Sequence, residues 1–466
     1  MKKSFLILLT ILAIALVFVS CEHSSHKDDD DDPQSIPLTI EFYDMGGKIH
    51  FTNAPTSLMY SVDGGRMRKL SSPNETIEVG DSQSVSIYAS RPMSTVDSLM
   101  TIDCSGSDCY IYGNVMSLLY SDSFQKWEVA YKNAFRGMFK DNKNIKNHPD
   151  YDLYLPATEV RDYSYYEMFA GCTNLTRVPE LPATTLGESC YEGMFRGCTK
   201  ITSVPDLDAT TLKRACYKDM FNSCTSLTSA ENLELPATIL APQCYYQMFG
   251  ECTNLTSTPK LCGEKMATEC YANMFFNCEA LKTAPELPSK ELADRCYYGM
   301  FSDCSNLTKA PSELPATKLY EYCYAEMFRL CSKLTKVPDL PAETLATACY
   351  SSMFAGCHSL EVAPAIAATT VATDSCANMF EMCINMVHGP ILYSKIINRD
   401  CYKKMFLNCF KLKSLVCLAV SIEENPSTDW MDGVPENGVL YVADGMQTKW
   451  PAGDDGCPTS WTIQVY

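Results

Sequence analysis

The stretch Cys190-Tyr191-Glu192-Gly193-Met194-Phe195-Arg196-Gly197-Cys198-Thr199-Lys200-Ile201 decides how this chain is read. Its pattern, Cys-Tyr-x-x-Met-Phe-x-x-Cys, occurs complete from Cys190, Cys216, Cys244, Cys270, Cys296, Cys323, Cys349 and Cys401. Ser164 starts a near copy, Cys376 starts a shortened copy with alanine for tyrosine, and Met138-Phe139 marks a degenerate first unit. The Met-Phe pairs recur mostly every 26 residues, with 28 between Phe221 and Phe249 and 27 between Phe301 and Phe328. Repetition at this period means stacked units, each too small to bury its own apolar face.

Cys190, Met194 and Cys198 stand at i, i+4 and i+8, with Tyr191 and Phe195 at i+1 and i+5. These positions make one apolar stripe on an α-helix, with Glu192, Arg196 and Gly197 facing out. The other half of the unit, as in Leu175-Thr176-Arg177-Val178-Pro179 or Leu334-Thr335-Lys336-Val337-Pro338, alternates and is closed by proline. It reads as a short strand and a turn. The expected fold class is therefore an α+β repeat: a leucine-rich-repeat solenoid, with one short strand and one short helix per unit of about 26 residues, over residues 131–420.

The segments Phe195-Arg196-Gly197-Cys198-Thr199-Lys200-Ile201 and Phe249-Gly250-Glu251-Cys252-Thr253-Asn254-Leu255 place an aromatic before x-x-Cys-x-x-Leu/Ile. That pattern resembles the BspA-like leucine-rich repeat surface lipoproteins, and the resemblance covers roughly residues 135–417. It implies a non-catalytic protein that binds host extracellular proteins or other bacterial surfaces.

The repeats are flanked by segments of different texture. Within residues 36–130, Leu38–Phe42, Ile49–Phe51, Leu58–Val62, Thr76–Val79 and Ser84–Tyr88 are short β-like runs, with a turn signal at Asp63-Gly64-Gly65. They suggest a small N-terminal β-domain that caps the first unit. Residues 421–466 leave the period and hold Trp430, Trp450 and Trp461. Either these tryptophans are buried in a C-terminal cap, or they form an aromatic platform for a sugar ring.

The beginning of the chain reads as a targeting segment. Lys2-Lys3 precede the apolar run Phe5–Val19, which stops at Ser20-Cys21. This is signal-peptide length. The junction resembles a bacterial lipobox, so residues 1–20 are expected to be removed and Cys21 to carry lipid. Residues 21–35 contain Asp28–Asp32, a solvated acidic tether. A lysine followed by acidic residues after the cysteine resembles the export signal of Bacteroides-type lipoproteins. That implies an outer-membrane anchor with the protein facing the exterior, and a membrane contact through lipid alone. Asp97-Ser98-Leu99 resembles the short O-glycosylation signal of the same bacteria.

The chain has 25 cysteines, 19 of them in the repeat columns. On a helix Cys190 and Cys198 would lie about 12 Å apart, beyond disulfide reach. Helices packed about 8–10 Å apart put neighbouring columns out of reach as well. The same distances exclude a zinc site. These cysteines are therefore expected to be small buried hydrophobes. Cys104 and Cys109 flank Ser-Gly-Ser-Asp, a loop that permits a local disulfide.

No Gly-x-Ser-x-Gly, His-Glu-x-x-His or phosphate loop occurs, and the six histidines are scattered. The expectation is no enzyme, no cofactor and no metal. A net charge of −18 disfavours nucleic acid as a partner. The outward strand column, Arg177, Ser203, Ser229, Ser257, Thr283, Lys309 and Lys336, is the expected ligand face. A glycan-capturing lipoprotein of a nutrient-uptake system is the alternative, with Trp430, Trp450 and Trp461 as its platform.

Overall fold

The structure is a computed structural model that describes residues 33–92, 99–121, 123–422, 428–453 and 456–466. The expectations placed on Cys21 and Ser98 lie outside the described residues.

Eight strands build the N-terminal domain: β1 (Thr39–Phe42), β2 (Gly47–Thr52), β3 (Leu58–Val62), β4 (Arg68–Lys69), β5 (Thr76–Val79), β6 (Gln83–Ala89), β7 (Thr101–Ser105) and β8 (Cys109–Asn114). They form two sheets, one in the order β8-β1-β6-β3-β4 and the other β5-β2-β7, with antiparallel pairings throughout. Alternation explains the burial: Ile49 and Phe51 of β2 are buried, whereas Lys48 and His50 are exposed. The turn after β3 has Asp63 and Gly64 at φ 49° and 65°, and the Gly65 N–H donates to the Val62 carbonyl.

From Val129 onward the chain winds as a β-solenoid of about 12 turns. The expected α-helix per unit is not there: the described residues contain no α-helix and only three short 3-10 turns. Residues 189–198 instead form a ribbon of successive turns. φ is positive at Ser189, Gly193 and Gly197, and at the matching three places of the other coils, as at Gln243, Gln247 and Glu251. Two kinds of hydrogen bond alternate along the ribbon. The Met194 N–H donates within the coil to the Tyr191 carbonyl at 3.2 Å, while the Phe195 N–H donates to the Met220 carbonyl of the next coil at 3.0 Å. An α-helix would keep both inside one segment. Here alternate N–H groups leave the coil and hold its neighbour.

The two patterns are hard to tell apart over nine residues. The buried pairs 190/191 and 194/195 and the single Cys198 recur every four positions. An α-helix has about 3.6 residues per turn, so it drifts only about 40° per four residues and shows the same stripe.

This geometry brings like side chains into columns. Ten successive phenylalanine contacts run from Phe139 to Phe406 with ring centroids 5.5–5.9 Å apart and planes within 11°. A second column starts at Phe135 and runs from Tyr165 to Tyr350, with centroids 5.2–6.1 Å apart. It breaks at Cys376. The Tyr350 N–H donates to the Ser375 carbonyl, just as that of Tyr165 donates to Cys190. Ser375 therefore occupies the first cysteine column and Cys376 the tyrosine column. The unit is not shortened; anchoring it on its first cysteine shifts the alignment by one place.

Both ends of the stack are covered. The Ile102 N–H of β7 donates to the Met138 carbonyl at 2.8 Å, taking the role of a preceding coil. Buried Asn142 fills the second cysteine column and donates to the Ile102 carbonyl. Next come β9 (Val129–Ala130), β10 (Ile145–Asn147), β11 (Leu153–Tyr154), β12 (Glu159–Val160) and β13 (Thr185–Leu186). Of these, β10 and β11 pair parallel with β8, and β12 lies parallel between β9 and β13. At the far end the parallel segments Ser414–Cys417, Val439–Val442 and Thr462–Val465 continue the stack. The Phe406 N–H donates to the Trp430 carbonyl at 2.7 Å, and Trp430 lies over Tyr402 and Phe406. Trp461 rests on Gly438, where a Cβ would fall 2.1 Å from the indole.

A glycine at Gln247 (φ 49°) separates the turn ribbon from a helix by the sign of its effect. Relief of about 1–2 kcal/mol of left-handed strain outweighs the entropic cost of about 0.5–1 kcal/mol. Gln247→Gly is thus expected to raise the guanidinium midpoint slightly; in a helix it would lower it.

Candidate functional site

The strand column expected as a ligand face exists as a row in register on the surface. Ser229 pairs with Ser257, Thr283 with Lys309, and Lys309 with Lys336, all parallel. The Ser229 and Ser257 hydroxyls are 2.7 Å apart. Arg177, Ser203, Thr283, Lys309 and Lys336 are exposed, and Ser229 and Ser257 are half-buried. The row continues past the sequence reading through exposed Val362 and His388 and half-buried Ser414, where the His388 Nδ1 lies 2.7 Å from the Ser414 hydroxyl.

The members of this row differ electrostatically. Arg177 is held at the N-terminal junction: its Nη2 donates to the His148 carbonyl at 2.7 Å and lies 3.6 Å from the Asp152 carboxylate. Asn147 clamps its backbone, accepting from the Arg177 N–H and donating to its carbonyl. Lys309 and Lys336 make no ion pair among the described residues, although they are direct neighbours. Like charges opposite each other on neighbouring strands repel. On this acidic chain they form a local positive spot.

Away from that row, the ribbon carries ion pairs between coils. Lys140 pairs with Glu167 at 2.7 Å, Lys218 with Glu192 at 2.9 Å, and Arg196 with Glu167. Asp219 lies beside them. Burial pushes its carboxyl up to about 6, with Lys218 and Arg196 pulling it back and Glu192 and Glu167 adding to the rise.

The 24 cysteines other than Cys21 are all free thiols. The reason expected from helix packing does not hold, because coils in a β-stack lie only about 4.8 Å apart, inside disulfide range. Each second-column thiol instead points at a carbonyl: Cys198 donates to Phe169 at 3.0 Å, Cys224 to Phe195 at 3.2 Å and Cys252 to Phe221 at 3.1 Å. Burial pushes the Cys198, Cys216 and Cys252 thiols up to about 12, far from the thiolate form that reacts. Cys104 and Cys109 are buried, unbonded thiols in hydrogen-bond contact across the two N-terminal sheets. Among the described cysteines, Cys262 alone is not fully buried. Among the described residues no group of three His, Cys, Asp or Glu side chains is placed to hold a metal.

Trp430, Trp450 and Trp461 are buried, at 0, 7 and 6% exposure. The Trp430 Nε1 donates to the Gly456 carbonyl and that of Trp461 to the Pro435 carbonyl. Their ring faces are covered, which removes them as a sugar platform. Sequence reasoning passed over two surface hollows. One, of about 270 Å³, has Lys265, Lys290 and Lys318 around Tyr320. The other, of about 600 Å³, lies at the N-terminal junction and includes Trp127. Trp127 is the fourth tryptophan, set apart from the other three in the sequence; that isolation was the available signal.

The family described as "BspA type Leucine rich repeat region" matches residues 163–282 and 217–361, in six copies. No curated protein matches. Among solved structures, a leucine-rich repeat protein from Bacteroides ovatus ATCC 8483 is similar, with 15% identity and a TM-score of 0.29. The match covers 63% of this chain and 65% of that one.

Two outcomes follow from the buried groups. Between pH 4 and 6 the folded chain keeps the Asp219 proton that the unfolded chain has released, so stability falls as pH rises through that window and stays lower above it. Asp219→Asn removes this loss and, as asparagine, still suits φ 54°. Its Tm advantage over the native chain should widen from pH 4 to 6 to an equivalent of about 1–2 kcal/mol; a constant gap would contradict the assignment. Thiol titration of the Cys21→Ser chain should show one fast thiol, Cys262, under native conditions and 24 in guanidinium.

Proposed function

We propose, for a chain that carries a BspA-type leucine-rich repeat region, that the solenoid is a scaffold that binds other proteins through its exposed strand row. The observation that carries this reading is the pair Lys309 and Lys336: adjacent, exposed and without an ion-pair partner among the described residues. Such a pair gains most from an acidic segment of a partner, which supplies the missing counter-charge. The row is long and regular, so a partner can lie along several coils at once.

In this proposal the protein is tethered by lipid on Cys21, in the outer membrane and facing outward. Its partners are extracellular matrix proteins or components of another bacterial surface. It carries out no catalytic step and requires no cofactor. The leucine-rich repeat class to which the matched residues correspond is generally a non-catalytic interaction scaffold, which supports this reading.

A pull-down with the full-length chain against a panel of extracellular matrix proteins should recover a partner whose binding weakens with salt. The double variant Lys309→Glu/Lys336→Glu should lower that affinity at least about tenfold, some 1.4 kcal/mol. Affinity unchanged by the double reversal would reject this face.

A further inference from the structure

The hollow at the N-terminal junction has a volume of about 600 Å³ and a built wall. Trp127 follows the 3-10 turn Phe124–Lys126 and leads into β9. Its ring lies on Tyr120 with centroids 4.6 Å apart and planes at 2°. Tyr120 is itself buried and anchored, its hydroxyl donating to the Val129 carbonyl at 3.0 Å. One face of the indole is therefore covered and its tilt is fixed. Trp127 as a whole remains 42% exposed, and it lines the hollow. The other three tryptophans are buried, so this is the one indole offered to solvent.

Fixed polar groups share the hollow with it. Glu128 accepts from the Thr158 hydroxyl at 3.0 Å. Arg177 is held by the His148 carbonyl and faces Asp152. Glu180 comes from the same coil as Arg177.

We propose that this cleft binds a neutral oligosaccharide, with the free face of Trp127 under a pyranose ring and Glu128, Asp152 and Arg177 bonded to its hydroxyls. A pyranose presents an apolar C–H face of about the size of an indole, rimmed by hydroxyls that both donate and accept. A pre-set aromatic plane flanked by carboxylate acceptors and a guanidinium donor complements both features. Charge selects within the class. The cleft has three carboxylates, Glu128, Asp152 and Glu180, against the single guanidinium of Arg177, so a uronate or sulfated polymer is repelled. This cleft shares Arg177 with the far end of the strand row but does not include Lys309 or Lys336, and it disfavours the acidic ligands that pair would take.

The test is affinity electrophoresis of the full-length chain in gels containing amylopectin, galactomannan, xyloglucan or yeast mannan, with polygalacturonate and heparin as anionic counterparts. At least one neutral polymer should retard the chain, and its soluble oligosaccharide should shift the tryptophan emission. Trp127→Ala should weaken binding at least about tenfold. Trp127→Phe should weaken it less, and Arg177→Ala should weaken it without touching the indole. Lys309→Glu/Lys336→Glu should leave it unchanged. The proposal is overturned if no neutral polymer retards the chain, if Trp127→Ala binds as the native chain does, or if an anionic polymer binds at least as tightly.

Discussion

Everything in this molecule depends on where alternate backbone N–H groups point. A left-handed residue at every fourth position of the ribbon turns the N–H groups of Tyr191, Gly193, Phe195 and Gly197 along the solenoid axis, each onto a carbonyl of the next coil. Each left-handed non-glycine residue costs about 1–2 kcal/mol. The coil is stable only because that cost is offset by hydrogen bonds and ring contacts made with a neighbour. A single unit therefore has no reason to fold alone. The β-sandwich that supplies Ile102 at one end and the Trp430 segment that receives Phe406 at the other are conditions for the repeats between them.

The same constraint explains the choice of side chains. Coils one strand spacing apart place identical residues directly over each other, and few side chains tolerate that. Phenylalanine and tyrosine do so by stacking in offset, nearly parallel planes. Cysteine does so because it is small and can donate its thiol sideways to a carbonyl, as Cys198 does to Phe169. Where the tyrosine column loses a ring at Cys376, the flanking Tyr324–Tyr350 pair opens to 6.1 Å and 23°, the loosest stack of that column.

Much of this organisation was legible in the sequence. The repeat, its length and its buried positions follow from Cys190-Tyr191-x-x-Met194-Phe195-x-x-Cys198 alone, because burial forces those residue types. The surface row through Lys309 and Lys336 was also legible, since proline fixes the strand's place in each unit. The local backbone was not. Its signature is the preference for glycine, asparagine, aspartate and serine at the left-handed sites, but Gln247, Arg295, Tyr322 and Leu330 occupy the same sites, so neighbours override local preference and blur the signal. The coil spacing was hidden for the same reason: a helical stripe implies helix-to-helix distances, which are about twice the spacing of stacked coils. Trp127 escaped notice because its role depends on Tyr120 beneath it and on Arg177 across the cleft, a contact between segments that no local pattern encodes.

The uniform interior also limits where recognition can reside. A column residue is buried among like residues of the coils above and below, so interior substitutions act first on stability. Selectivity must come from positions that break the repetition. These are of two kinds. In the strand row the residue type varies from coil to coil, so charge can be written along it, as at Thr283, Lys309 and Lys336. At the N-terminal junction the chain leaves the repeat, and β8 of the N-terminal domain pairs in parallel with β10 and β11 of the first coils. There an aromatic face, carboxylates and a guanidinium from separate segments line one hollow. A stack built from one unit is thus most specific where its periodicity fails.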